Sequence, residues 1–485
     1  MTQSPDAYAT GRLTNADLAP VQDRSWAWKD FLFLWMSDVH SVAGYMTVGT
    51  LFMMGLPVSS VLIGLLVAIV AVQLLCNLIA VPSLKSGAPF PVIIRSVFGV
   101  YGAVVPALVR GIIAVGWYGI QTWLASNAVV LFVLRMMPSL ADYSDVHHHG
   151  LMGLSLLGWL AFLLIWALQL AVFWRGMESI RHFIDWAGPA IYVMMVLLDG
   201  VLLWKTHGKI SFSVLPQSAL SIGQHLTGVL NVISLTIAFF SPIILNFGDF
   251  ARYGISLSAV RRGNFWGLPI NFMAFCALAL TTVTLTQPVL GQILVDPVDT
   301  VTRLDSQTIM IVGILTFVLA TIGINISANF VSAAFDFSNI APASISWRGG
   351  GVIAAIGAIA LTPWNLYARP DLIHLTLDIL GLFIAPVTGI LLADYYFVQR
   401  ETLDVPALYS TDPSATYWYR SGVNHTAIWA LGLAVLVGLA NVFLPALAVF
   451  QNFAWFTGFF SGFCFHLLLT RLRRPVGRTA DGQAS

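Results

Sequence analysis

Long apolar runs separated by short polar loops repeat along the whole chain, and most runs are long enough to match a hydrocarbon core. A spanning helix needs roughly 20 apolar residues. The pattern predicts twelve of them, near 29–52, 56–82, 103–136, 151–174, 187–204, 226–251, 266–292, 308–335, 351–362, 373–398, 425–447 and 452–471. The ninth is short because Pro363 ends it. Two runs depart from uniform apolarity at about the same point in each half of the chain. Residues 35–49 (WMSDVHSVAGYMTVG) and 239–254 (FFSPIILNFGDFARYG) carry Gly or Pro and polar groups in mid-run. Backbone at bilayer depth must have its hydrogen bonds satisfied, so irregular spans are tolerated only inside protein or against a water-filled cavity. Interrupted spans in corresponding halves point to a binding site near the midplane.

Composition agrees with the pattern. The 485 residues are 58% hydrophobic and 9% charged, with a mean hydropathy of +0.83. A soluble domain carries about 25% charged residues, so most of this chain does not face water. The net charge of +1 gives no case for a nucleic acid partner. Cys76, Cys276 and Cys464 lie far apart in apolar runs and read as small buried hydrophobes. Residues 1–28 are polar and mixed in charge, so the first helix is expected to serve as its own uncleaved signal. With both termini inside, seventeen basic residues fall on inner segments and five (Arg135, Lys205, Lys209, Arg303 and Arg369) on outer ones; Arg110 lies at the edge of the third span. That bias predicts cytoplasmic termini. Residues 1–28 and 472–485 then form cytoplasmic tails around a helical core (29–398) and two further helices (399–471).

Ionisable groups near the bilayer centre cost about 2.5–3.5 kcal/mol each on insertion scales, and so tend to be functional. Asp38 and His40 flank the first break. Asp249 lies near Arg252 at the inner end of the sixth span, where it reads as half of an interfacial ion pair, with Asp336 and Asp378 on the eighth and tenth spans. The tract His147-His148-His149 reads as a solvated loop, and no nucleoside-triphosphate motif is present, so any transport is driven by a gradient. On the third span Trp117 and Gln121 are four apart and share one helical face. A flat indole with a carboxamide one turn away suits a planar heterocycle, one stacking and the other hydrogen-bonding. Asn325 and Asn329 repeat the same spacing on the eighth span; alone, such a pair is routine helix–helix glue.

The strings GAPFPVIIRSVFGVYGAVVPALVR (87–110), GWYGIQTW (116–123), NFGDFARYG (246–254), NISANFVSAAFDFSNIAP (325–342), TPWNL (362–366) and ADYYFVQR (393–400) resemble the nucleobase–cation symporter-1 family. The likeness runs from about Arg12 to the last span. Its nearest look is to the bacterial allantoin and hydantoin permeases. The resemblance implies an all-α polytopic membrane protein of twelve transmembrane helices. Spans 1–5 and 6–10 form a five-plus-five inverted repeat, LeuT-like, with helices 1 and 6 broken. It implies that Trp117 stacks on the substrate ring, that Gln121 bonds its polar edge, and that Asn325 and Asn329, which match the asparagines of the eighth helix, are both substrate-binding, with Asn329 favoured over Asn325 as the direct ligand. Phe240 matches a second stacking position, and Ser41 falls where relatives carry Gln or Asn. The family's proline two residues on is Ala43 here, so the break is expected to rest on Gly44.

For the cation, the resemblance implies backbone carbonyls at Ser37, His40 and Ala320. The two adjacent hydroxyl side chains of sodium-coupled relatives are replaced by Gly323 and Ile324. Asp38 or His40 offers a protonatable substitute, since histidine titrates near neutral pH. The expectation is a cation-coupled importer, with H+ favoured over Na+, of a planar neutral heterocycle such as allantoin, uracil, cytosine or a hydantoin. It would use no cofactor and would sit as a multi-pass protein in the plasma membrane, the bacterial inner membrane. Alternating access follows from the fold. The other reading is an amino-acid or amine symporter of the same fold, against which the Trp117–Gln121 face argues. An enzyme would need a nucleophile–base or metal constellation, and only isolated histidines and aspartates are available. Oligomeric state is not written in the pattern.

Overall fold

The computed structural model describes residues 12–212, 220–304, 306–367 and 382–473. The first apolar run is two helices, α1 (Trp28–Val39) and α2 (Val42–Phe52). The remaining runs give α3 (Val58–Ser86), α4 (Val104–Met136), α5 (Leu156–Trp174), α6 (Met177–Lys205), α7 (Ile222–Asn246), α8 (Leu257–Leu290), α9 (Gln307–Ile340), α10 (Trp347–Ala360), α11 (Leu382–Val398), α12 (His425–Phe443) and α13 (Ala454–Arg473). Among the described residues eight of these are long and apolar enough to cross a membrane, and α2, α10 and α11 are shorter apolar helices.

Several boundaries differ from the sequence pattern for identifiable reasons. The fourth span starts at Leu156 rather than 151, because Gly150–Leu151 and Leu154–Ser155 pair as a small antiparallel hairpin. The fifth starts at Met177, ten residues before the predicted 187. Its first turns are charged and so escape an apolar search, yet they are tied down: Arg181 Nε donates to Asp30 Oδ1 at 2.6 Å and Arg181 Nη1 to Glu178 at 3.2 Å. The first part of the tenth span (373–381), with Asp378, and Arg369 lie outside the described residues, as do residues 1–11 and 474–485 of the tails.

The two irregular runs behave differently. The first breaks at His40 and Ser41, both extended. Ser41 Oγ accepts from Gly44 N at 2.9 Å and so caps α2. A Cβ at Gly44 would sit 2.8 Å from the Val39 carbonyl oxygen, so glycine is what lets the half-helices meet end to end. The second run stays α-helical through Pro242 and gives way only at Phe247, before a single turn, Gly248–Ala251. A third irregularity lies inside α9, where residues Asn325–Val331 form a wide π-type turn. Such turns frequently mark functional positions.

Packing divides the helices into two sets. One holds α1, α2, α3, α7 and α8, and the other α4, α5, α9 and α10, with α6 against α1, α8 and α9. Helices in lipid gain little from hydrophobic burial against one another and rely on close approach at small residues. Gly64 takes Val232, Gly267 takes Trp35, and Gly351 takes Phe173, where a Cβ would collide. Buried amides pin the first set: Trp35 Nε1 donates to Asn264 Oδ1 at 2.8 Å, and Asn264 Nδ2 to Asn77 Oδ1 at 2.8 Å.

Part of the amino-terminal tail is ordered against one end of both sets. Asn15 Nδ2 donates to Ser338 Oγ in the last turn of α9 and to Pro342 O and Ile345 O beyond it, at 2.9–3.1 Å. Asp17 Oδ2 accepts from Trp347 N at 2.9 Å, while its carbonyl accepts from the Arg252 guanidinium at 3.2 Å. Trp26 pairs with the backbone around Gly254.

Candidate functional site: a cavity between the two helix sets

A cavity opens where the irregular segments converge. The first set contributes Asp38 from the end of α1 and Phe239, Phe240, Pro242 and Ile243 from α7. The second contributes Trp117 and Gln121 from α4 and Ile324, Ala328 and Asn329 from α9. Its free volume is about 30 Å³, room for a couple of waters. A heterocycle enters only if the walls move apart.

Trp117 and Gln121 line this cavity on the face that their spacing predicts, with Trp117 8% exposed and Gln121 2%. Gln121 Oε1 is buried without a partner among the described residues. Phe240 is in the wall as expected. The ring that meets the Trp117 indole is its neighbour Phe239, edge-on with centroids 6.3 Å apart and planes at 81°. Phe239 escapes a sequence reading because an adjacent Phe pair in an apolar run looks like ordinary lipid-facing bulk.

The two asparagines of α9 take different places. Asn329 lines the cavity, 4% exposed. Asn325 lies behind it, with Nδ2 on Tyr118 O, Thr122 Oγ1 and Gln169 Oε1 and Oδ1 on Asn329 Nδ2. Gln169, the only carboxamide in α5, is the member of this network that the sequence reading passed over.

The residues at the first break also separate. Asp38 is 2% exposed, faces the cavity, and has Oδ1 without a partner among the described residues. His40 points elsewhere. Its Nδ1 lies 3.2 Å from Tyr45 Oη, and its ring sits edge-on to Tyr192 and Phe275 with centroids at 4.3 and 5.1 Å. Ser41 does not line the cavity; its hydroxyl caps α2. Ser37 and Ala320 are fully buried beside each other's helices. A Cβ at Gly323 would collide with Ser37 Oγ, itself unpartnered among the described residues. Thr321 Oγ1 lies 3.5 Å from Val42 N. Hydroxyl oxygens therefore do stand near the break, supplied by Ser37 and Thr321 rather than by positions 323 and 324.

Beneath the cavity lies a group that the sequence left at a span edge. Arg110 is 1% exposed; its Nη2 donates to Ala328 O at 2.9 Å and its Nε to Pro242 O at 3.3 Å. One guanidinium on α4 thus holds carbonyls of α9 and α7, both in residues that line the cavity. Asp249, read as a partner of Arg252, instead accepts from Phe90 N at 2.8 Å and Asn246 Nδ2 at 3.0 Å. The histidine tract is solvated, with His148 and His149 paired to Asp142 and Asp145.

Comparison with known proteins bears on what such a cavity takes. A family profile described as a permease for cytosine/purines, uracil, thiamine and allantoin matches residues 19–458. The allantoin permease of Bacillus subtilis (strain 168) is 32% identical over 482 residues, covering 96% of this chain and 95% of its own. The purine-uracil permease NCS1 of Arabidopsis thaliana is 28% identical over 482 residues, covering 95% of this chain and 78% of its own. Among solved structures, Mhp1, a nucleobase-cation-symport-1 family transporter in a closed conformation with bromovinylhydantoin bound, superimposes with a TM-score of 0.75 at 19% identity. That match covers 95% of this chain and 96% of the other, and at such identity it establishes the fold, with its five-plus-five arrangement.

Proposed function

The chain belongs to the family of permeases for cytosine/purines, uracil, thiamine and allantoin, and from that premise we propose that it imports a neutral, planar, amide-bearing heterocycle by proton symport. It is a multi-pass membrane permease and not an enzyme. The observation that carries the substrate class is the shared face of Trp117 and Gln121, lining one cavity with Phe239, Phe240 and Asn329. Aromatic walls take the flat faces of a ring, and amides take its edge. Allantoin, uracil, cytosine and the hydantoins fit that description. A carrier of amino acids would offer a free helix end to the carboxylate. Here the Gly44 N–H at the start of α2 is already taken by Ser41 Oγ.

Proton coupling is supported by Asp38. It is the one charged side chain in the cavity wall, and one of its oxygens has no partner among the described residues. An uncompensated buried ion is costly by several kcal/mol, so a proton or a cation has to accompany it, and the substrate lies within the same cavity. His40, turned into its aromatic box, is the weaker candidate. A second reading, sodium symport, is favoured by the Ser37 and Thr321 hydroxyls near the carbonyls of Ser37, His40 and Ala320. Either way, substrate and ion bind between the two helix sets, and rocking of one set on the other exposes them to each side in turn. We place both termini in the cytoplasm and the protein in the plasma membrane, from the distribution of basic residues.

The test is uptake by the purified chain in liposomes with radiolabelled allantoin, uracil, cytosine and hydantoin, with Gln121→Ala as control. An acid-outside gradient without sodium is expected to drive accumulation. Sodium-dependent uptake that a protonophore leaves intact would defeat proton coupling, and unaltered uptake by Gln121→Ala would defeat the placement of the site.

A further inference from the structure

The two amides of the cavity wall differ in how firmly they are held. The main-chain carbonyl of Tyr118 can only accept. Asn325 turns its Nδ2 toward that carbonyl at 3.0 Å, and toward Thr122 Oγ1 at 3.0 Å and Gln169 Oε1 at 2.7 Å. The Thr122 hydroxyl hydrogen is already directed to Tyr118 O at 2.7 Å, so that oxygen too receives rather than donates. Reversing the Asn325 amide would set its oxygen against the Tyr118 carbonyl, and the network therefore fixes its orientation. Its Oδ1 faces the other way and accepts from Asn329 Nδ2 at 3.0 Å. Asn329 is left with its carbonyl end for the cavity. Polarity is passed from a backbone carbonyl on α4, through two side chains one turn apart on α9, to the cavity wall. Gln121 Oε1 has no partner among the described residues, so nothing there fixes which end its amide presents.

We propose that Asn325 is a positioning residue that makes Asn329 a fixed hydrogen-bond acceptor, and that the substrate edge lying on α9 is therefore an N–H edge. This rests on the permease reading above and narrows it. The substrate class is a ring or ureide with an N–H donor on that edge, such as a cyclic urea or imide. The edge on Gln121 is carbonyl or N–H without distinction. Rings alkylated at the donor position are excluded, because a buried acceptor facing a methyl group loses its partner.

The experiment is competition for [14C]allantoin uptake by the full-length chain in liposomes, using four small rings. Hydantoin has both groups; imidazolidin-2-one lacks one carbonyl; succinimide replaces one N–H by CH2; N-methylsuccinimide has no N–H. Loss of the carbonyl is expected to weaken competition less than about threefold and loss of an N–H by about tenfold, with N-methylsuccinimide not competing. A carbonyl loss that costs more than an N–H loss overturns the proposal while leaving the permease reading intact. If none of the four competes, the planar-amide reading itself falls and takes the proposal with it. In Asn325→Asp, assayed where the buried carboxyl is protonated so that its O–H donates to Tyr118 O and its other oxygen faces Asn329, the succinimide-to-imidazolidinone ratio is expected to persist. In Asn325→Leu, which releases Asn329, it should fall to within about twofold of unity. Reduced uptake in both variants with an unchanged ratio would mean that Asn325 is merely structural, and would overturn the assignment. Should Asn325→Leu fail to fold, the ring series on the unaltered chain still decides.

Discussion

Asp38 and His40, two residues apart at the break between α1 and α2, face opposite ways: the carboxylate lines the cavity, and the imidazole lies 3.2 Å from the Tyr45 hydroxyl in an aromatic box. They are expected to separate functionally. Asp38→Asn should abolish uptake driven by an acid-outside gradient while leaving substrate binding measurable, for example by competition in detergent. His40→Gln should retain gradient-driven uptake and lower thermal stability by about 1 kcal/mol through its lost hydrogen bond. The opposite pattern would move the proton to His40.

Trp117 and Gln121 should lower affinity more than maximal rate. Trp117→Phe keeps a ring in the wall and is expected to raise the apparent KM severalfold. Trp117→Ala, which removes about 1–3 kcal/mol of ring contact by analogy with other base–aromatic stacks, should raise it by tenfold or more. Phe239→Ala should resemble Trp117→Phe, since Phe239 meets the indole edge-on. Initial-rate uptake over a range of substrate concentrations separates the two constants.

Arg110 is expected to tolerate no substitution. Its two hydrogen bonds go to carbonyls on different helices. Arg110→Met leaves both buried acceptors short of a charged donor, at a cost of about 2–5 kcal/mol. Lysine places one charge without the fork that reaches both. A thermal shift of the purified variant and its loss of uptake would check this. A stable, fully active Arg110→Lys would refute the double bracing.

Ser41→Ala removes the cap of α2 and should destabilise the protein by about 1 kcal/mol. Because the hydroxyl does not line the cavity, the ranking of competing substrates should not change. A changed ranking would return Ser41 to the substrate.

Much of this was legible in the chain, because a polar residue inside an apolar run stands out one residue at a time. Asp38, His40, Trp117, Gln121 and Asn329 were all visible in that way. What a side chain faces depends on distant neighbours. Asn325 looked like a ligand until the Tyr118 carbonyl, 207 residues away in sequence, turned its amide inward. Gly323 looked like a lost hydroxyl, although Ser37 on another helix fills that place. Pro242 suggested a mid-membrane break, but its carbonyl is held by Arg110 and the helix continues to Asn246. The start of α6 was missed because ion pairs to Asp30, not apolar character, hold its first turns.

The ordered stretch before α1 has a consequence for turnover. It is fastened at Asn15 and Asp17 to the region between α9 and α10, and through Arg252 and Gly254 to the end of α7. The rocking proposed above would load those fastenings, because they span both helix sets. Residues that never meet the substrate thus tie the two helix sets together on the side where the ordered tail lies.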